Sequence, residues 1–129
     1  MGPMPLIAGI AALVAALFHV GFFYLESIVF ARPVVWARFR LASQEQADIV
    51  RPMALNQGFY NLFLGLGIVA GLVLVATGQE TAGTAIILFD CSCMVLAGIV
   101  LLATDYRFLT AAAAQALPPL IAIILTILF

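Results

Sequence analysis

The sequence predicts an all-α integral membrane protein, a four-helix bundle of antiparallel up-and-down topology. Three observations carry that prediction. Hydrophobic residues fill 66% of 129 positions and charged residues 9%, with a mean hydropathy of +1.24, far outside the range of a soluble domain. The apolar residues gather into four continuous stretches, near 5–31, 53–77, 82–104 and 108–129. Each is long enough for the roughly 20 residues that a hydrocarbon core requires. The stretches are rich in Leu, Ala and Gly, without the short alternating segments of a membrane β-barrel. The chain, 1–129, reads as one domain.

The first stretch, MGPMPLIAGIAALVAALFHVGFFYLESIVF, has neither a basic leader nor a small-residue cleavage site, and its apolar run exceeds a signal-peptide core. It is expected to remain as the first span. Leu6 stands where a myristoylation signal needs Ser or Thr. Pro33 ends this span, because a proline cannot continue a helix behind it without losing a hydrogen bond. The segment 32–52 is the one water-loving part of the chain and is expected to be an amphipathic cytoplasmic loop. Trp36 and Phe39, three apart beside Arg38 and Arg40, predict a short helix at headgroup level, either a connector or a lid over a site. Ser43 followed by Gln46 has the pattern of a capping box for one more short turn. Pro52 is expected in the first turn of the second span.

Gly65, Gly67 and Gly71 in the second span include a Gly-x-x-x-Gly pair, the spacing that lets helix backbones approach closely in lipid. It serves internal packing or a subunit contact, and a homo-oligomer is expected of four slender helices. Cys91 and Cys93 in the third span point to different faces, which disfavours a disulfide and suits small buried apolar residues. Pro118 and Pro119 are expected to interrupt and kink the fourth span, freeing carbonyls beside a cavity. The tight remaining connections force consecutive spans to run antiparallel.

Orientation follows from the five basic residues, all arginine. Arg32, Arg38, Arg40 and Arg51 fall between the first two spans and Arg107 between the last two, whereas TGQETAG (77–83) carries only Glu80. Positive charge collects on the cytoplasmic side, so both termini are expected outside the cytoplasm, in a multi-pass protein of a bacterial cytoplasmic (inner) membrane. A net charge of −1 gives no purchase on nucleic acid.

Ionisable groups inside a span cost roughly 2.5–3.5 kcal/mol at a helix centre and usually face the bundle interior, so their positions are informative. His19 and Glu26 are seven apart and return to nearly one face, about 10 Å apart along the axis. The second span opens with MALNQGFYNLF (53–63), in which Asn56 and Tyr60 share one face and Gln57 and Asn61 the next. Gln115 in the fourth span reaches a similar depth, and Asp90 in the third lies nearer His19. Glu26, His19 and Tyr60 are therefore the candidate catalytic groups, and Asn56, Asn61, Gln57, Gln115 and Asp90 the candidate substrate-binding groups. A carboxyl, a phenol and several amides around one cavity can move a proton and orient the polar atom of a greasy ligand. The same groups can instead hydrogen-bond helices to one another, at about 1 kcal/mol each. No metal site is expected.

His19 and Glu26 in the first span, ALNQGFYNLFL (54–64), the Ala97-Gly98 pair and QALPPLIAIIL (115–125) together resemble a bacterial family of small four-helix membrane proteins known as a domain of unknown function, family thirteen hundred and four. The run from Asn56 to Asn61 is the most specific part of the likeness. The resemblance implies the fold and the polar positions, and no activity. A fainter likeness is to styrene oxide isomerase, a four-helix membrane enzyme that binds haem b and rearranges an epoxide. Ala54, Leu55, Asn56 and Gly58 resemble its Ala-Leu-Asn-Gly run, and Asp90 echoes an aspartate in its third helix. Its haem-ligating histidine lies about two turns ahead of that asparagine, where this chain has Val50. Haem b would transfer only with His19 or Tyr60 as the axial ligand, and no cofactor is otherwise expected.

These readings favour a membrane-embedded acid/base enzyme, of isomerase or hydrolase type, acting on a small lipophilic molecule in the cytoplasmic half of the bundle. Glu26 would be its acid or base, with membrane lipid around it. Two further readings stand beside it. One is a proton-coupled exporter of lipophilic compounds, against whose antiparallel dimers the one-sided arginines argue. The other is a non-catalytic assembly subunit, whose polar groups would all be spent on helix contacts.

Overall fold

The computed structural model describes residues 2–129, and every regular element among them is helical. Helix α1, Leu6–Phe23, passes directly into a π-helical turn, Tyr24–Ile28. A short helix α2, Pro33–Trp36, and a 3-10 turn, Ala37–Phe39, lead to α3, Gln44–Ala76. Helix α4, Glu80–Thr104, a 3-10 turn, Tyr106–Phe108, and α5, Leu109–Leu128, complete the chain. Four helical segments are long and apolar enough to cross a membrane: Leu6–Ile28, Gln44–Ala76, Glu80–Thr104 and Tyr106–Leu128. Large apolar side chains such as Phe89, Leu96 and Val100 stand 70%, 62% and 65% exposed, an exterior that only lipid solvates well.

The boundary of the second span departs most from expectation. Helix α3 begins at Gln44, so Pro52 lies inside the helix, where it has no N–H to offer the Asp48 carbonyl. The reason is the cap at Ser43. Its Oγ accepts from the Gln46 amide at 3.2 Å, and the Gln46 side-chain oxygen accepts in turn from the Ala42 amide at 2.9 Å. This box starts the long helix rather than an isolated turn, and a Gln44–Asp48 side-chain bond of 2.9 Å supports it one turn on. At 1.5 Å per residue the 33-residue helix measures about 50 Å, well beyond a hydrocarbon core of about 30 Å, so its polar first turns project past the apolar part. Helix α5 likewise runs through Pro118 and Pro119 without interruption, although the carbonyls of Ala114 and Gln115 lose their helical donors there.

The chain divides into two compact units. The first joins the N-terminal stretch through Phe18 to Leu64–Phe129. Its core sets the small residues Ala12, Ala15, Ala16 and Ala122 against Ile68, Ile87, Cys91 and Met94. Close helix approach is what the glycines provide. A Cβ built on Gly83 would fall 2.5 Å from the Gly71 carbonyl oxygen and 2.8 Å from the Val75 nitrogen, so α3 and α4 meet backbone to backbone. Gly98 does the same for α4 and α5, where a Cβ would stand 2.8 Å from that of Ala116. The Gly67/Gly71 pair is thus spent on internal packing. Helix α3 ends in a Schellman motif: Gly78 takes φ +87°, the Gln79 amide donates to Leu74 and the Gly78 amide to Val75. Between α4 and α5 the Arg107 guanidinium grips the Asp105 carboxylate in a fork, the shorter arm 2.7 Å. Cys91 and Cys93 are both free thiols, Cys91 fully buried.

The second unit, His19–Phe63, holds the end of α1, the connecting segment and the first half of α3. The connector folds onto α3 rather than lying apart from it. Phe30, Ala47 and Ala54 form a small core with Trp36, Phe39, Leu41 and Val50 around it. Phe30 meets Phe39 edge to face at 5.3 Å, and the Trp36 indole donates to the Gln44 side chain at 3.1 Å. Arg40, at φ 60°, makes the left-handed turn that releases the chain toward Ser43.

Candidate functional site

The densest polar arrangement lies in the second unit, and the π turn creates it. A π turn inserts an extra residue per helical turn, closed here by the Val29 amide donating to the Tyr24 carbonyl at 3.1 Å. Two consecutive polar residues, Glu26 and Ser27, thereby both engage α3. Asn61 Nδ2 donates to Glu26 Oε1 at 2.7 Å, a short bond with both residues buried. Ser27 Oγ donates to the Leu55 carbonyl at 2.8 Å, two turns earlier on α3. Gly58 lies between these anchor points because nothing larger fits. A Cβ there would collide with Ser27 Oγ and stand 3.1 Å from Glu26 Cβ.

Beside this contact is a shallow cleft of about 230 Å³, lined by Glu26, Ser27, Ile28, Phe30, Arg51, Pro52 and Leu55. Among the described residues Asn61 alone gives the Glu26 carboxyl a side-chain hydrogen bond, on Oε1, and Glu26 also lines the cleft. Arg51 lines the same cleft yet pairs neither with Glu26 nor with Asp48 one turn before it. One carboxyl, one guanidinium and apolar walls make a site that can move a proton on a molecule held by both a polar and an apolar contact.

Of the candidate residues, Glu26 and Asn61 are brought together. Asn56, Gln57 and Tyr60 are instead exposed, Tyr60 by 63%, and do not turn toward Glu26. The four-residue spacing that places them on neighbouring faces also turns each about 40° along the helix, so only Asn61 reaches the inner face. His19 is completely buried, its ring edge to face with Phe22 at 5.2 Å. In the first unit, Asp90 presses its carboxylate on Gly67, and its buried Oδ2 accepts no hydrogen bond. Gln115 is half-buried. Ser27, Arg51 and Gly58 were not anticipated. The available signal was a 4-3-4 spacing of small or polar residues, Ala54, Gly58, Asn61 and Gly65, all buried, which marks the inner stripe of α3 and passes Asn56 and Tyr60 by. Among the described residues no three His, Cys, Asp or Glu side chains gather closely enough to hold a metal ion.

The family described as "Protein of unknown function (DUF1304)" matches residues 13–127. The chain belongs to that family. Its match covers all of the second unit and most of the first. Neither the curated proteins nor the solved structures compared with the chain gave a match. The likeness to styrene oxide isomerase therefore rests on a handful of residues, and Val50, where a haem-ligating histidine would be needed, has no donor atom.

Proposed function

We propose that this member of the family is a membrane-embedded acid/base enzyme of isomerase type that acts on a small lipophilic molecule, with Glu26 as the catalytic group. The observation that carries this reading is the Glu26 carboxyl, set in a π turn, held on one oxygen by Asn61 and open on a cleft. π turns are costly local departures that recur at functional sites. An isomerisation by proton transfer needs one group that takes a proton from one atom of the substrate and returns it to another, and a single carboxyl suffices. Hydrolysis would need a water activated and a leaving group protonated, for which the cleft offers no second acid or base. Asn61 is the positioning residue. Ser27 is spent on the Leu55 carbonyl and is not a nucleophile in this scheme.

The test is proton exchange. Protein in lipid nanodiscs is incubated in D2O with a panel of short lipophilic carbonyl compounds and alkenyl ketones, and deuterium incorporation is read by mass spectrometry. Exchange by the wild type, reduced about 10²- to 10⁴-fold in Glu26→Gln, is the expected result. Exchange that survives Glu26→Gln overturns the reading, and uptake of lipophilic cations driven by a pH gradient would replace it with an exporter. The scheme uses no cofactor, so the purified protein is expected to lack a Soret band. We also expect a homo-oligomer in the bacterial inner membrane with both termini outside, supported by the one-sided arginines. Light scattering in detergent and reporter fusions to the C-terminus check these two points.

A further inference from the structure

Arg51 is the cleft residue that the proton-transfer scheme leaves unused. Among the described residues it has no carboxylate partner, although Glu26 lines the same cleft and Asp48 lies three residues before it on the same helix. Asp48 is engaged by Gln44, and Glu26 by Asn61. Arg51 and Glu26 therefore line one cleft without an ion pair between them, which leaves a cationic side chain at the cleft that no protein carboxylate neutralises.

The other walls are apolar: Ile28, Phe30, Pro52 and Leu55. Phe30 is itself buried and packed edge to face against Phe39 from the connector. At about 230 Å³ the cleft is smaller than the ~300–1,000 Å³ of pockets that enclose whole ligands, so it holds a head group and the carbons next to it while the remaining chain lies in lipid. A planar fork of donors matches a carboxylate or a phosphate and has no special affinity for a neutral oxygen.

We propose that the cleft binds the anionic head of a single-chain amphiphile, a carboxylate or phosphate seated on Arg51, with the first carbons of its chain against Ile28, Phe30 and Leu55. This deepens the acid/base reading, on which it rests for the role of Glu26, by naming the class of molecule presented to that carboxyl. Arg51 is a specificity-determining residue in this scheme and takes no proton itself.

The experiment compares decanoate with decanol, equal in chain and different in charge, by calorimetric titration of the whole protein in phosphatidylcholine nanodiscs. Decanoate is expected to bind about tenfold more tightly than decanol. Arg51→Gln should abolish that preference with helical content and decanol affinity kept, and Arg51→Lys should retain part of it. Arg32→Gln, at an exposed arginine outside the cleft, should leave it intact. Equal binding of the two amphiphiles by the wild type overturns the proposal, as does an Arg32→Gln variant that loses the preference as fully as Arg51→Gln. Repeating the titration with phosphatidylglycerol in the disc separates the two sources of the anion. Weakened decanoate binding overturns the single-chain occupant in favour of a bilayer phospholipid, and unchanged binding supports a free amphiphile. Because these are binding measurements on protein with Glu26 intact, they stand or fall independently of the deuterium exchange lost in Glu26→Gln.

Discussion

In each of the two units a carboxylic acid, within a helical segment long and apolar enough to cross a membrane, packs beside a glycine of α3. At Gly58 the room left by the absent side chain is taken by Ser27 Oγ with Glu26 Cβ beside it, and at Gly67 it is taken by the Asp90 carboxylate itself. The outcomes differ. Glu26 has a donor, Asn61, and borders a cleft, whereas the buried Oδ2 of Asp90 has no hydrogen-bond partner and rests on backbone. On the proposed acid/base reading the bonded acid that borders open volume is the one that meets a ligand, and the one pressed onto a glycine serves packing. The same residue chemistry at the same kind of helix contact thus acquires two roles from what lies beside it.

The widest separation between the two acids should appear in proton exchange. Glu26→Gln is expected to lower it by about 10²- to 10⁴-fold and Asp90→Asn by less than about threefold, read by deuterium incorporation. A comparable loss from both would erase the distinction. Next come the glycines. Gly83→Ala meets backbone atoms that cannot rotate aside, and should destabilise by about 3 kcal/mol in reversible unfolding in detergent. Gly67→Ala meets only the end of the Asp90 side chain and should cost about 1 kcal/mol. Asn61→Ala leaves the Glu26 carboxylate without its donor, an effect of about 1–2 kcal/mol by the same measurement. The smallest effects belong to the exposed polar residues of α3, for which Asn56→Leu and Tyr60→Phe should each stay within about 0.5 kcal/mol of the wild type. A larger loss at Asn56 or Tyr60 would return them to the site.

Much of the site could be read from residue order, and the part that could not has a definite cause. Glu26 and His19 stood out because ionisable groups in an apolar span are costly and these two lie one heptad apart, and the structure buries both. Asn61 was one of four polar residues in a short run, and choosing it required the buried spacing of Ala54, Gly58 and Gly65. Arg51 and Ser27 were invisible for a different reason. Arg51 reads as a boundary charge until the Ser43 cap carries the helix past it, and Ser27 faces α3 only because of the π turn.

Local chemistry alone determined the four apolar spans, the absence of strands among the described residues, the Gly78 turn and the cap at Ser43. Each depends on hydropathy over a window or on hydrogen bonds within a few residues, which neighbouring sequence controls. Tertiary packing decided which of the polar residues of α3 turns inward, and that Glu26 has a donor while the buried Oδ2 of Asp90 has none among the described residues. Those outcomes depend on how closely two backbones approach, and that distance is set by side chains dozens of residues apart meeting across a glycine.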